Sequence, residues 1–469
     1  MSSLKFGTSG LRGLVSDLTE EVCFAYAKAF LEHMASAGQL PPAAMVLVGQ
    51  DLRDSSPRIA RACMAAIESC GMTIENCGAL LTPGLALRAM HLKAPAIMVT
   101  GSHIPADRNG LKFYRPDGEI DKSDEVEITR RVAVAGVMES ASIEVPVQKT
   151  ALDAYLKRCA AILPEDALKA KRVGVYQHSS VARDVMVDVA QGYGADVIAL
   201  AHSDVFVPVD TEALSPEDLA FAKAEVAKHG LDALISTDGD ADRPMLFDEN
   251  GQFVRGDLLG ILTAKFLGAD AVVTPVTSSS AIEESGLFKS VIRTKVGSPF
   301  VIAGMEAAKA QGAACVVGFE ANGGVLLGSD VQVEGRTLYA LPTRDSMLPM
   351  LAVLGLAIQS GKTVSSLVEE LPARFAKSGR IEHVGPEKSG PFLEKLLDGP
   401  FQAAYFAGKN AISGVDRVDG VRFVFENGHT LHYRASGNAP ELRCYAETGD
   451  ADQSATLLDW GLALAARSL

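Results

Sequence analysis

Aromatic residues are scarce in this 469-residue chain: they make up 6% of it, with a single Trp. That scarcity argues against base-stacking platforms for nucleic acid and against ring-lined clefts for sugar polymers. Basic residues are also in deficit, with 44 Lys and Arg against 58 Asp and Glu and a formal net charge of −14. A duplex-binding surface needs a basic footprint, and none occurs as a run or as an excess. An anionic small substrate stays compatible, because a few convergent cations set the field inside a cleft.

No C-x-x-C pair occurs among the seven cysteines, which are Cys23, Cys63, Cys70, Cys77, Cys159, Cys315 and Cys444. Their irregular spacing and apolar neighbours predict buried free thiols. The segment from Met1 to Gly7 lacks the apolar stretch of a signal peptide. The longest apolar run, Met347 to Ile358, holds Pro349 and Gly355 and, at about twelve residues, is too short to span a bilayer. No G-x-x-x-x-G-K-[ST] loop is present, which disfavours a nucleotide kinase. The expectation is a cytoplasmic protein, monomeric or homodimeric, with no nucleic-acid or membrane partner.

What the chain does have is a recurring unit: a short apolar run that stops abruptly in a polar, Gly- or Ser-rich loop, followed by a helical stretch. Met45-Val-Leu-Val48, Ala96-Ile-Met-Val99, Val173-Gly-Val-Tyr176, Ala233-Leu-Ile235, Ala271-Val-Val273 and Cys315-Val-Val317 all behave this way. Continuous runs of this length predict buried strands of mostly parallel sheets, and ligands of such sheets sit at the strands' carboxyl ends. Amphipathic helices are predicted over Leu18 to Ala37 and over Pro216 to His229, the second capped by Ser215. Near the C-terminus the pattern changes. Val421 to Phe425 alternates, Asn427-Gly428 signals a type I′ turn, and Thr430 to Tyr433 returns as a hairpin. The predicted architecture is three consecutive α/β domains with mixed, mostly parallel sheets, over 1–146, 147–254 and 255–371. A smaller α+β domain follows over 372–469.

Four loops carry candidate chemistry. In Thr100-Gly-Ser-His-Ile-Pro105, Ser102 sits on the turn after a buried strand, with His103 and Lys112 nearby as proton-transfer candidates. A Ser-His dipeptide alone is usually a surface-loop feature, but the string Thr100 to Tyr114 adds a Pro-fixed turn and cationic residues. Asp238-Gly-Asp-Ala-Asp-Arg243 sets three carboxylates at alternate positions, able to converge on a hard cation such as Mg²⁺. An EF-hand reading would make Glu249 the twelfth-position ligand, but Arg243 stands where that loop needs glycine.

Gly318-Phe-Glu-Ala-Asn-Gly-Gly324 offers Glu320 and Asn322 for reading sugar hydroxyls. Arg434-Ala-Ser-Gly-Asn438, with Arg443 beyond it, supplies a guanidinium, a hydroxyl and backbone N–H groups suited to a phosphate. Arg12, in a glycine-punctuated segment, and Lys295 add positive charge.

In this order, the four loops resemble those of the α-D-phosphohexomutase superfamily, in particular its bacterial phosphomannomutase/phosphoglucomutase group. The resemblance implies four domains around a central cleft. It makes Ser102 the phosphorylated serine, with Asp238, Asp240, Asp242 and the serine phosphate as ligands of one Mg²⁺. Glu320 falls in the sugar-recognition loop. Arg434, Ser436, Gly437 and Asn438 fall in the loop that grips the non-reacting phosphate, and Arg12, Lys112, Arg243 and Lys295 match basic positions around the reacting phosphate.

The implied reaction moves phosphate between C6 and C1 of mannose through a hexose 1,6-bisphosphate, with glucose as the alternative sugar. Departures from the common pattern are Gly101 and Ile104 in the serine loop, Ala241 for glycine in the metal loop, and Asn438-Ala439 for Thr-Glu. In the sugar loop Asn322 replaces a serine and Gly324 a histidine. A hydrolase with the same serine and metal, and a non-catalytic sugar-phosphate binder, are the competing readings.

Overall fold

The computed structural model describes residues 3–7, 10–41, 43–132, 143–436 and 440–469. All six apolar runs are strands, and each has a loop at its carboxyl end. In the first sheet, Met45–Gln50 pairs in parallel with Thr73–Ala79 on one side and Ala96–Val99 on the other. Arg108–Arg115 then continues antiparallel to Ala96–Val99, followed by Leu11–Leu14 and Lys5–Phe6. The reason for uninterrupted apolar runs is visible in how neighbouring residues divide. Val46, Val48, Ile97 and Val99 pack under the helices Glu20–Ser36 and Ser56–Ser69. Leu47, Ala96 and Met98 face the opposite way, into a core shared with Leu85 of the helix Thr82–Leu92 and Tyr155 of the helix Thr150–Cys159. Both faces of these two central strands are therefore dry, which is why their apolar runs are uninterrupted.

The second sheet runs Pro244–Phe247, Ala233–Thr237, Arg172–His178, Asp196–His202, and the third runs Ser290–Thr294, Ala271–Pro275, Val316–Phe319, Val325–Leu327, Leu341–Asp345. Both are parallel at their centres and antiparallel at one edge. One apolar core, extending in sequence from Leu47 to Leu371, joins all three sheets. The apolar run that was too short for a membrane is the helix Met347–Ser360, buried continuously from Met347 through Gly355. Each large aliphatic side chain fully buried there contributes about 1.5–3 kcal/mol. No helix among the described residues is long and apolar enough to cross a membrane.

The last sheet is wholly antiparallel, in the order Phe375–Glu382, Glu441–Thr448, Thr430–Ala435, Val421–Phe425, Ile412–Asp416. It has its own core, built from residues such as Phe406, Phe423, Leu431, Leu442 and Leu458 of the helix Ala451–Ser468. The hairpin at Asn427-Gly428 is present, but its turn differs from the expected type I′. Only Gly428 takes positive φ (+76°), and its N–H closes onto Phe425 O at 2.8 Å. Phe425 N–H in turn donates to His429 O at 2.9 Å, so three residues form the loop rather than two. Ser215 caps the helix Pro216–His229 by accepting from Asp218 N.

Candidate active site

Ser102 and the aspartate loop come from different sheets and meet face to face. Ser102 lies just after the strand Ala96–Val99, and the aspartates follow Ala233–Thr237. Ser102 Oγ donates to Asp238 Oδ2 at 2.6 Å. The loops approach closely enough to need glycine: a Cβ on Gly239 would lie 2.9 Å from the Ser102 carbonyl oxygen. Ser102 itself is buried and takes a left-handed φ of +54°, a conformation that costs a non-glycine residue about 1–2 kcal/mol. Ala241, where the resembled family has glycine, does the same at +58°.

A single arginine holds the strained serine loop. Arg53 Nη2 donates to Ser102 O at 2.9 Å and to Ile104 O at 2.6 Å. Its Nη1 donates to Pro105 O at 2.8 Å and Arg108 O at 3.0 Å. Asp51 balances its charge, accepting from Arg53 Nε at 3.2 Å and from Thr100 Oγ1 at 2.8 Å. The ring of Phe206 covers the guanidinium at 3.8 Å. Pro105 O also accepts from Arg108 N at 3.1 Å, so the fork reinforces one carbonyl already bonded within the turn and gives Ser102 O, Ile104 O and Arg108 O a charged donor.

Asp238, Asp240 and Asp242 are buried, and ligand oxygens from the three lie within 4.8 Å of one another. Burial, together with the charges of Asp240 and Asp242, pushes the Asp238 carboxyl well above the usual range. Each of the other two has one oxygen pinned and one without a hydrogen bond. Lys112 Nζ donates to Asp240 Oδ2 at 2.6 Å and to Asp242 Oδ2 at 2.7 Å, and Thr82 Oγ1 adds a bond to Asp240 Oδ2 at 2.6 Å. Asp240 Oδ1 and Asp242 Oδ1 are buried without a hydrogen bond among the described residues. Mutually repelling carboxylates with orphaned oxygens fit an oxygen-loving divalent cation. Glu249 takes no part; it accepts from Ser365 N at 3.3 Å, beside the helix Val364–Glu369, and an EF-hand has no twelfth ligand here.

Positive groups ring the cluster. Arg243 Nε lies 3.8 Å from Asp242 Oδ1 and 4.0 Å from Asp238 Oδ2. Arg12 makes no direct ion pair among the described residues, although Asp240 and Asp242 attract it at longer range. Burial, then the neighbouring Arg243, lowers its guanidinium to about 10. A cation left in that state has room for an anionic partner. His103 Nδ1 is 3.3 Å from Ser102 Oγ. Burial first, then Arg243 and Arg12, brings the imidazole down to about 2, so it is neutral at pH 7.

Profiles of the phosphoglucomutase/phosphomannomutase α/β/α domains I, II and III match residues 3–136, 153–251 and 255–375 respectively. A phosphomannomutase of Sinorhizobium fredii is 46% identical, covering 98% of each chain. One of Salmonella muenchen is 44% identical, covering 98% of this chain and 95% of its own. The chain belongs to the phosphoglucomutase/phosphomannomutase family. The fold agrees: a family protein of Burkholderia thailandensis superposes with a TM-score of 0.78 at 19% identity, covering 97% of this chain and 96% of that one.

Glu320, expected to read the sugar, is linked to the aspartates by Arg344, which sequence reasoning missed. Arg344 Nη1 donates to Glu320 Oε2 at 2.9 Å, and its Nη2 donates to Asp242 Oδ2 at 2.7 Å. Asn322 spends its side-chain oxygen closing the turn, accepting from Gly324 N at 3.0 Å. No ion pair joins Arg434, Arg443 or Lys295 to the aspartates among the described residues. Arg434 Nη2 donates to Tyr445 Oη at 3.4 Å, Arg443 pairs with Glu441 at 3.6 Å, and Ser436 N–H donates to Glu441 O at 2.9 Å. Lys295 is exposed, its Nζ 5.8 Å from the centre of the Phe300 ring.

Asp419, also missed, ties the Lys295 and Arg434 loops together. It accepts from Val296 N at 3.1 Å and pairs with Arg434 at 3.6 Å. Gly437 and Asn438 lie outside the described residues. The strand-end rule that found Ser102 and the aspartates could have found Arg53 and Arg344, since both sit at or just past the carboxyl end of a strand.

Proposed function

We propose that this protein is a phosphomannomutase in which Ser102 carries the phosphoryl group between C1 and C6 of the sugar. The observation that carries the reading is the bond from Ser102 Oγ to Asp238 within a buried three-aspartate cluster ringed by Arg12, Lys112 and Arg243. Near-full-length similarity to two phosphomannomutases supports mannose as the sugar.

In the first half-reaction the Ser102 phosphate is attacked by the free hydroxyl of a bound hexose monophosphate. The bond from phosphorus to Ser102 Oγ breaks, a bond to sugar O1 or O6 forms, and the hydroxyl proton ends on Ser102 Oγ. His103 Nδ1 is within reach of that oxygen and can orient it, while burial keeps the imidazole too weak a base to hold the proton itself. The bisphosphate turns over, and the reverse transfer returns its other phosphate to Ser102. Asp238, Asp240 and Asp242, with the serine phosphate, would hold a Mg²⁺ ion, which would supply neutralisation of charge on the transferring group. Lys112 and Arg243 hold the aspartates. Arg12 attracts the reacting phosphate, and Glu320 and Asn322 read sugar hydroxyls. Arg434, Ser436, Gly437, Asn438 and Arg443 receive the phosphate that does not react, and Lys295, whose loop is tied to Arg434 through Asp419, is reassigned to that phosphate from the reacting one.

The test is Ser102→Ala, assayed with mannose 1-phosphate, glucose 1-phosphate and a catalytic amount of hexose 1,6-bisphosphate. The variant should fold, lose the phosphate seen by mass spectrometry, and lose turnover by about a thousandfold or more. Normal turnover would remove Ser102 from its role. A wild-type kcat/KM higher for glucose 1-phosphate would overturn the choice of sugar.

A further inference from the structure

Arg344 is buried between two carboxylates that belong to different sheets. Its Nε and Nη2 both reach Asp242 Oδ2, at 3.2 and 2.7 Å, while Nη1 reaches Glu320 Oε2 at 2.9 Å. The strand that carries it, Leu341–Asp345, is anchored on both sides of the arginine. Thr343 Oγ1 donates to Glu119 Oε1 at 3.3 Å. Asp345 accepts from Tyr155 Oη at 2.6 Å and from Met347 N at 3.1 Å, and it faces Arg158 at 3.5 Å. A planar guanidinium on an immobile strand is a stiff spacer between the carboxylates it touches.

Its stem also explains a residue in the sugar loop. A Cβ placed on Gly324 would lie 2.6 Å from Arg344 Cδ, 2.8 Å from Cγ and 3.1 Å from Cβ. Any side chain at 324 would push the arginine off both carboxylates. Gly324 stands where the resembled family often has histidine, so the space of that ring is taken here by an arginine from a neighbouring strand.

We propose that Arg344 is a positioning residue of the transfer reaction and that Gly324 is glycine in order to admit it. Together they set the distance between the cation-holding Asp242 and the sugar-reading Glu320. Arg344 and Ser298 occupy Glu320 Oε2, and Oε1 takes no hydrogen bond among the described residues. That arrangement presents the same oxygen to the sugar in both orientations of the bisphosphate. The inference rests on the mutase reading for its substrate, a hexose monophosphate.

The test compares Arg344→Lys, Arg344→Ala, Gly324→Ala and the double variant Gly324→Ala/Arg344→Ala. Affinity for mannose 6-phosphate is measured by calorimetry, turnover alongside it, and Mg²⁺ binding by titration with the metal alone. Arg344→Lys and Gly324→Ala should each weaken sugar-phosphate affinity about tenfold or more, since each loses a charge-assisted bond. Turnover should fall about a hundredfold through misplacement of the sugar. Mg²⁺ affinity should not fall, because Lys112 still holds Asp242; general collapse of the site would weaken it too. The double variant should be no worse than Arg344→Ala, because the clash disappears with the side chain.

Unchanged sugar-phosphate affinity in both Arg344→Lys and Gly324→Ala would overturn the proposal. So would losses that multiply in the double variant. A wild type without turnover would count against the mutase reading, while the affinity ratios would still decide the role of Arg344.

Discussion

Ser102 Oγ and Asp238 Oδ2 stand 2.6 Å apart although 136 residues separate them in the chain. The serine and the three aspartates are thus on different sheets, and their register depends on the core those sheets share. An open hinge at this point would let the serine drift from the charges that stabilise transfer, which a position-dependent reaction tolerates poorly.

Asp240→Asn should raise the Mg²⁺ concentration needed for half-maximal activity by about tenfold or more. Asp240 Oδ1 is a buried oxygen without a hydrogen bond among the described residues, whereas Oδ2 is fixed by Lys112 and Thr82. Calorimetric titration of Mg²⁺ is the direct measurement. An unchanged isotherm would take Asp240 out of the ligand set.

Arg53→Ala should destabilise the fold by about 3–5 kcal/mol, the usual cost of breaking a buried ion pair. Turnover should fall as well, because four carbonyls of the serine loop lose a charged donor at once, although Pro105 O keeps a backbone one, from Arg108 N. Arg53→Lys should recover only part of either, since an ammonium cannot reproduce the planar fork. Thermal unfolding and steady-state kinetics on the same preparations check this. A lysine variant with full activity and stability would show that charge alone suffices.

Stability should decline as pH falls from about 6.5 towards 4. His432 is buried, donates from Nε2 to Asp419 O at 2.6 Å, and stacks on Tyr445. Burial lowers it to about 4; Arg434 and Arg422 act in the same sense, and Asp419 opposes them. The unfolded chain therefore binds a proton in this window that the native state refuses. The stability conferred by the neutral imidazole is fully present above the unfolded value and is lost as pH falls towards the folded one. The ceiling is about 3 kcal/mol. Denaturant midpoints at pH 7 and pH 5 should differ less in His432→Gln than in the wild type. Buried His178, which burial also brings to about 4, adds a parallel slope that both proteins share.

The sequence alone determined the central strands and the polar loops that follow them. A strand buried on both faces must be apolar along its whole length, so Ala96–Val99 and Ala233–Thr237 announce themselves locally, and so do the polar loops that follow them. The serine loop, the three aspartates and the sugar loop were legible for that reason.

Tertiary structure alone decided which loops touch and what holds them there. Arg53, Arg344 and Asp419 belong to none of the motifs. Each acts across the fold, reaching partners 49 to 123 residues away. Nothing local marks a long side chain whose partners are assembled by packing. The three-residue turn at Gly428 was hidden for a similar reason: Asn-Gly permits either turn, and the pairing of Phe425 with His429 selects one.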